Sequence, residues 1–162
     1  SRIIEVRFAT WTEFNFEKNT WTVPADRMKG GVEHIVPLSE AALTLIKSLP
    51  NEGDALLFPG TKFKRPVSDN SITNVVKSIA KNVGHSGITT HGFRSTFRDW
   101  AGEITNFERE TVEFCIAHKI KDKTEAAYAR GNQLEKRRTI MTAWANYCIG
   151  NASSNNVISL LR

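Results

Sequence analysis

The feature that most constrains this chain is a change in its hydrophobic period. Three short segments rich in aromatic and β-branched residues come first: Phe14-Asn15-Phe16, Thr20-Trp21-Thr22-Val23 and His34-Ile35-Val36. Asn19 and the pair Gly30-Gly31 supply turn chemistry between them, so they read as a small three-stranded antiparallel sheet. Past residue 67 the apolar residues recur at helical spacing instead. Ile72, Val75, Val76, Ile79 and Val83 make one stripe, with Gly84 as its stop. Phe93, Phe97, Trp100 and Ala101 make a second, and Val112, Cys115 and Ile116 a third. Leu134, Met141, Trp144, Ala145 and Cys148 make a long last helix. Ahead of the sheet, Arg2 to Trp11 reads as the end of a helix already under way, as in a chain cut at its N-terminal side. Ser39 can cap a helix running to about Leu49, stopped by Pro50. Residues 51–67, with Gly53, Pro59, Gly60 and Pro66, read as loop. The expected class is α+β: mainly α-helical, with a small three-stranded antiparallel sheet near the N-terminus.

The 162 residues suffice for one domain with a real core. Hydrophobic residues at 40% and charged residues at 24% are the balance of a soluble globular chain. The expected layout is one domain over residues 1–150 and a tail over 151–162. That tail opens with Asn and Ser and closes on Val157-Ile158-Ser159-Leu160-Leu161, which predicts docking in cis or on a neighbouring subunit. No apolar run reaches the length of a membrane span, and no signal peptide is visible. Cys115 and Cys148 allow one bridge at most, and a reducing cytosolic setting is the simpler reading. The formal net charge of +5 favours an anionic partner. Basic residues cluster at Lys62, Lys64 and Arg65, at Lys119, Lys121 and Lys123, and at Lys136, Arg137 and Arg138. The bland reading of each cluster is a solvated face.

His91-Gly92-Phe93-Arg94 puts a histidine and an arginine at i and i+3, on one face of a helix whose Phe93 and Phe97 would face the core. That pair suits a phosphate: the guanidinium grips two oxygens, and the imidazole donates a hydrogen bond or moves a proton. Taken alone it is weak, since such a pair usually does nothing. His118 and Tyr128 follow. The segment around Tyr128 is polar or small apart from Ile120, so the tyrosine has little core to fill. It reads either as a half-buried tyrosine with its hydroxyl in water or as a nucleophile, whose phenolate can attack phosphorus. Cys115 and His118, with His91 and Cys148, could alternatively be read as a zinc site. No second ligand pair completes it, and an inert core cysteine is the better reading.

Taken in order, His91-x-x-Arg94, Ala117-His118 and Tyr128 resemble the C-terminal signature of tyrosine recombinases of the phage-integrase family. The runs His91 to Trp100, Ala126 to Gly131, Glu135 to Arg138 and Trp144 to Tyr147 are similar to prophage and genomic-island integrases in particular. The resemblance extends from the first residues to about Cys148. Ile116-Ala117-His118 departs from it mildly, where many relatives have Leu-Gly-His. The family's first arginine lies in an Arg-x-x-Glu motif before the sheet, matched by Arg2 with Glu5 as its supporting carboxylate. Its lysine lies in a turn between sheet strands, matched by Lys29 in Arg27-Met28-Lys29-Gly30-Gly31.

The resemblance implies the catalytic domain of the tyrosine recombinase and type IB topoisomerase-like fold. It implies six catalytic residues, Arg2, Lys29, His91, Arg94, His118 and Tyr128, acting on double-stranded DNA at attachment sites through a 3′-phosphotyrosine, with no metal, cofactor or ATP. It further implies a homotetramer on DNA and a monomer off it, accessory DNA-bending proteins, no membrane, and a cytoplasmic, nucleoid-associated setting in a bacterium. Two other outcomes use the same residues or fold: relaxation of supercoils in the manner of a type IB topoisomerase, and DNA-binding regulation without cleavage.

Overall fold

A computed structural model describes residues 1–51, 55–62, 64–118 and 132–150. The three expected strands form one antiparallel sheet in the order β1 (Phe14–Asn15), β2 (Thr20–Val23) and β3 (His34–Pro37). Trp21 sits opposite Phe14 on one side and Val36 on the other. Asn19 holds a left-handed φ of 52° in the β1–β2 turn, which asparagine tolerates, and Gly31 holds 65° ahead of β3. The Gly31 N–H closes its turn on the Met28 carbonyl at 2.9 Å. Phe14, Trp21, Val23 and Val36 then bury one face of the sheet with Ala9, Met28, Ile46 and Leu57, the first of two cores.

The expected helix from Arg2 to Trp11 is instead a five-residue helix, α1 (Ile3–Arg7), and a separate 3₁₀ turn at Trp11–Glu13. The break has a cause. Thr10 pairs with Leu56 as a lone bridge, and the Trp11 N–H reaches the Ala55 carbonyl at 3.0 Å, so the backbone is extended where a helix would continue. Ser39 caps α2 (Glu40–Lys47) as expected, its hydroxyl accepting from the Ala42 N–H at 3.3 Å. Ser68 caps α3 (Asp69–Asn82) in the same way. The apolar stripe of α3 does not face a core: Val75, Ile79 and the flanking Val83 are exposed, and Ala80 is the buried residue of this helix.

Helices α4 (Gly92–Ile104), α5 (Arg109–Cys115) and α6 (Leu134–Cys148) enclose the second core. It holds Phe97, Trp100, Ala101, Val112, Cys115, Ile116, Ile140 and Ala143. Trp144 closes it, 5.0 Å from Trp100 and edge-on to Phe97 at 5.5 Å between ring centroids. Phe93 does not join Phe97 there, being 55% exposed. The core begins at Phe97, and the first turn of α4 has no partner in it.

Helix α6 also lies against β3 and α2. Arg137, 2% exposed, donates from Nη1 to the Ile35 carbonyl at 2.7 Å and from Nε to the Asn132 carbonyl at 2.6 Å. Arg138 donates to the carbonyls of Asn19 and Lys18 at 3.2 and 3.1 Å, and Lys136 pairs with Glu108. The cluster 136–138 is therefore not a solvated face throughout: its central arginine is a buried tie between helix and sheet. Among the described residues no helix is long and apolar enough to cross a membrane.

Candidate phosphate-binding site

The site is built from the short helix α1 outward. The Arg2 N–H donates to Glu5 Oε2 at 2.5 Å, and Arg2 Nη1 donates to Oε1 at 2.9 Å. Glu5 thus caps its own helix and holds the guanidinium at once. Its carboxylate is 1% exposed, a burial that is tolerable because both oxygens are engaged. Arg27 reaches back to the Glu5 carbonyl at 3.4 Å and forms an ion pair with Glu13. These contacts hang the 3₁₀ turn Ala25–Arg27 from α1. Two residues on, Lys29 is exposed on the turn that Gly31 closes. Arg2 and Lys29 consequently line one cavity of ≈ 430 Å³ with Glu5, Asp26 and Arg27.

Arg94 sits in the first turn of α4. Its Nη2 donates to the Ile116 carbonyl at 2.6 Å, while Nη1 is buried with no hydrogen-bond partner among the described residues. Burial holds Arg94 below its ordinary value, the charge of Arg2 lowers it further, and Glu5 and Glu113 oppose the shift. Two guanidiniums held together, one with a donor unmet among the described residues, make a place that an anion would stabilise. His91 stands at the N-cap of α4, exposed, three residues before Arg94.

His118 is placed by the way α5 ends. Ala117 takes a left-handed φ of 52°, its N–H donates to the Phe114 carbonyl at 3.1 Å, and the His118 N–H donates to the Glu113 carbonyl at 3.0 Å. This paired closure of a helix C-terminus favours glycine at the left-handed position, which gives physical meaning to the Leu-Gly-His of many relatives. The imidazole Nδ1 lies 2.5 Å from Glu113 Oε2, and Arg98 Nε lies 3.0 Å from Glu113 Oε1. Arg94 grips the carbonyl of Ile116, so the arginine and the histidine address the same turn.

The structure thus gathers Arg2, Glu5, Lys29 and Arg94 around one region, with His118 on the turn that Arg94 holds. Tyr128, the cluster Lys119, Lys121 and Lys123, and the tail 151–162 lie outside the described residues. Sequence reasoning missed Glu113, Arg98, Arg27 and Arg137. Glu113 precedes His118 by five, a spacing that means nothing until the left-handed turn folds one onto the other. Cys115 packs in the second core, where burial pushes its thiol up to about 12. That opposes the thiolate a zinc ion would need.

The phage integrase family profile matches residues 1–135. The integrase of Enterobacteria phage P4 is 34% identical over 176 residues, covering 99% of this chain and 39% of that protein. The prophage integrase IntA of Escherichia coli K12 is 34% identical over 149 residues, covering 90% of this chain and 35% of its own length. The chain therefore spans about two fifths of the curated relatives it matches. The solved integrase from mycobacterium phage Brujita superposes with a TM-score of 0.64 at 21% identity, over 88% of this chain and 46% of that one. That likeness fixes the fold as the α+β arrangement expected, and the profile match over residues 1–135 establishes that the chain belongs to the phage integrase family.

Proposed function

We propose that residues 1–150 form the catalytic domain of a site-specific DNA recombinase that integrates or excises a mobile element. The observation that carries this reading is Arg94, whose buried Nη1 lacks a partner among the described residues and lies near a second guanidinium, Arg2, in a chain of the integrase family. In the proposed reaction the Tyr128 oxygen attacks the scissile phosphorus as the bond from phosphorus to the 5′-oxygen breaks. A 3′-phosphotyrosine forms, and the departing oxygen takes a proton from Lys29 Nζ to leave a 5′-hydroxyl. His91 accepts the phenolic proton or donates to the phosphate. Arg2, Arg94 and His118 meet the charge that builds on the non-bridging oxygens, where losing one preorganised donor typically costs about 10²–10³ in rate. Religation is the reverse attack by a 5′-hydroxyl, so the phosphodiester's energy stays in the covalent bond and no ATP is required. The partners of this reading are attachment-site duplexes in a bacterial cytoplasm, a homotetramer assembled on them, and accessory DNA-bending proteins, with the tail 151–162 docking in cis or on a neighbour.

The test is incubation with nicked suicide duplexes of the attachment site in EDTA. A covalent adduct that maps to Tyr128 and is lost in Tyr128→Phe, with non-covalent binding kept, is the expected result. DNA binding without any adduct would make the chain a regulator. Relaxation of a supercoiled plasmid without strand exchange between sites would make it a topoisomerase.

A further inference from the structure

We propose that Glu113 is a positioning residue that decides which imidazole nitrogen of His118 faces the DNA. The inference rests on the strand-cleavage reading above, and adds to it a residue that no motif around the histidine contains. Glu113 holds His118 twice: its carbonyl accepts from the His118 N–H at 3.0 Å, and its Oε2 lies 2.5 Å from Nδ1. A carboxylate can only accept, so Nδ1 carries the proton and donates. Arg98 Nε lies 3.0 Å from Oε1 and forms an ion pair with the other side of the carboxylate. With Nδ1 committed, Nε2 is the atom available to a phosphate oxygen, and in the protonated ring it is a second donor. The hydrogen bond made by one ring nitrogen sets the role of the other, and carboxylates that orient histidines through this rule are a recurring device of functional sites. The backbone bond and the carboxylate come from one residue, so ring direction and ring tautomer are set together by the same helix end.

The experiment reads the tautomer directly, in the protein without DNA, from long-range proton–nitrogen spectra of histidine-labelled protein. His118→Asn removes one of the four histidine patterns and so assigns it. In the wild type the neutral ring of His118 should show Nδ1 protonated and Nε2 bare. Glu113→Ala should shift the ring towards the Nε2-protonated form, while Arg98→Ala, which keeps the carboxylate, should leave it Nδ1-protonated. On nicked suicide duplexes Glu113→Ala should lower the rate of adduct formation by about 10–100-fold, the range seen when orienting partners of histidines are removed, with DNA affinity unchanged. A wild-type ring protonated at Nε2, or a tautomer indifferent to Glu113→Ala, overturns the proposal. A shifted tautomer with an undiminished cleavage rate overturns its functional half. If the wild type forms no adduct while the tautomer responds as expected, the Nδ1 assignment is upheld and the strand-cleavage reading is what fails.

Discussion

Arg137 Nη1 donates to the carbonyl of Ile35 at 2.7 Å, across more than a hundred residues of chain. The same guanidinium holds the Asn132 carbonyl, so the start of α6 and the strand that follows the Lys29 turn are parts of one rigid joint. Arg137→Ala would leave two carbonyls without their donor in a buried site, at about 1–3 kcal/mol each. The expected loss is therefore about 3 kcal/mol or more in urea unfolding. Arg137→Lys, which keeps one donor and the charge, should lose less, and Arg138→Ala, on a half-exposed side chain, about 1 kcal/mol or less. An Arg137→Ala midpoint equal to wild type would show that the joint contributes nothing.

Ala117 holds a backbone conformation that an L-residue adopts at a cost of about 1–2 kcal/mol. Glycine escapes that cost but gives back part of it through the greater freedom of the unfolded chain, about 0.4–1 kcal/mol. Ala117→Gly should therefore stabilise the domain by about 0.5–1 kcal/mol in equilibrium unfolding, with the tautomer of His118 unchanged. A destabilised glycine variant would mean that the methyl group packs to advantage.

His34 supplies the pH dependence. Burial pushes it down from 6.5 to about 4, followed by the charge of Arg137, with Glu5 and the Cys115 backbone opposing. Between those two values the unfolded chain binds a proton that the folded chain refuses. Stability is thus fullest above pH 6.5 and falls as pH drops towards 4, by up to about 3 kcal/mol. In urea titrations at a series of pH values, His34→Gln should flatten the slope between 6.5 and 4 and leave the slope above it intact.

Lys29 is exposed on its turn and lines the cavity that Arg2 enters, as an acid for a departing oxygen must. A 5′-bridging phosphorothiolate leaves without protonation. Lys29→Ala should therefore cleave ordinary suicide duplexes slowly and phosphorothiolate duplexes at close to the wild-type rate. Equal impairment on both substrates would reduce Lys29 to a phosphate contact.

Much of this arrangement was legible in the residues themselves. The strands follow from β-branched and aromatic residues between turn formers, and Ser39 announces α2, because those signals are local. Three readings failed where tertiary contacts decide. The helix expected over Arg2 to Trp11 ends early because Thr10 and Trp11 are recruited by Leu56 and Ala55. Phe93 and the α3 valines show helical periodicity, which identifies an apolar face without identifying what covers it. Arg137, flanked by Lys136 and Arg138, carries the composition of a surface patch, and only its distant carbonyl partners reveal it as interior. Arg2, Lys29 and Arg94 could be picked out through the resemblance to the family's motifs, whereas Glu113 needed the fold of the helix end.

The burial of Arg137 also bears on how the protein senses salt. When a cation neutralises a phosphate it releases a condensed counterion, and each such contact adds about 0.9 to the slope of log affinity against log salt. A guanidinium locked on two carbonyls still adds to the long-range field that draws DNA in, but it releases nothing on contact. Arg138 is occupied by Lys18 and Asn19 in the same manner. Attraction at a distance would therefore draw on all 22 basic residues, and ion release on docking on fewer of them. Removing the charge of Arg138 should slow association at low salt while leaving the equilibrium salt slope where it was.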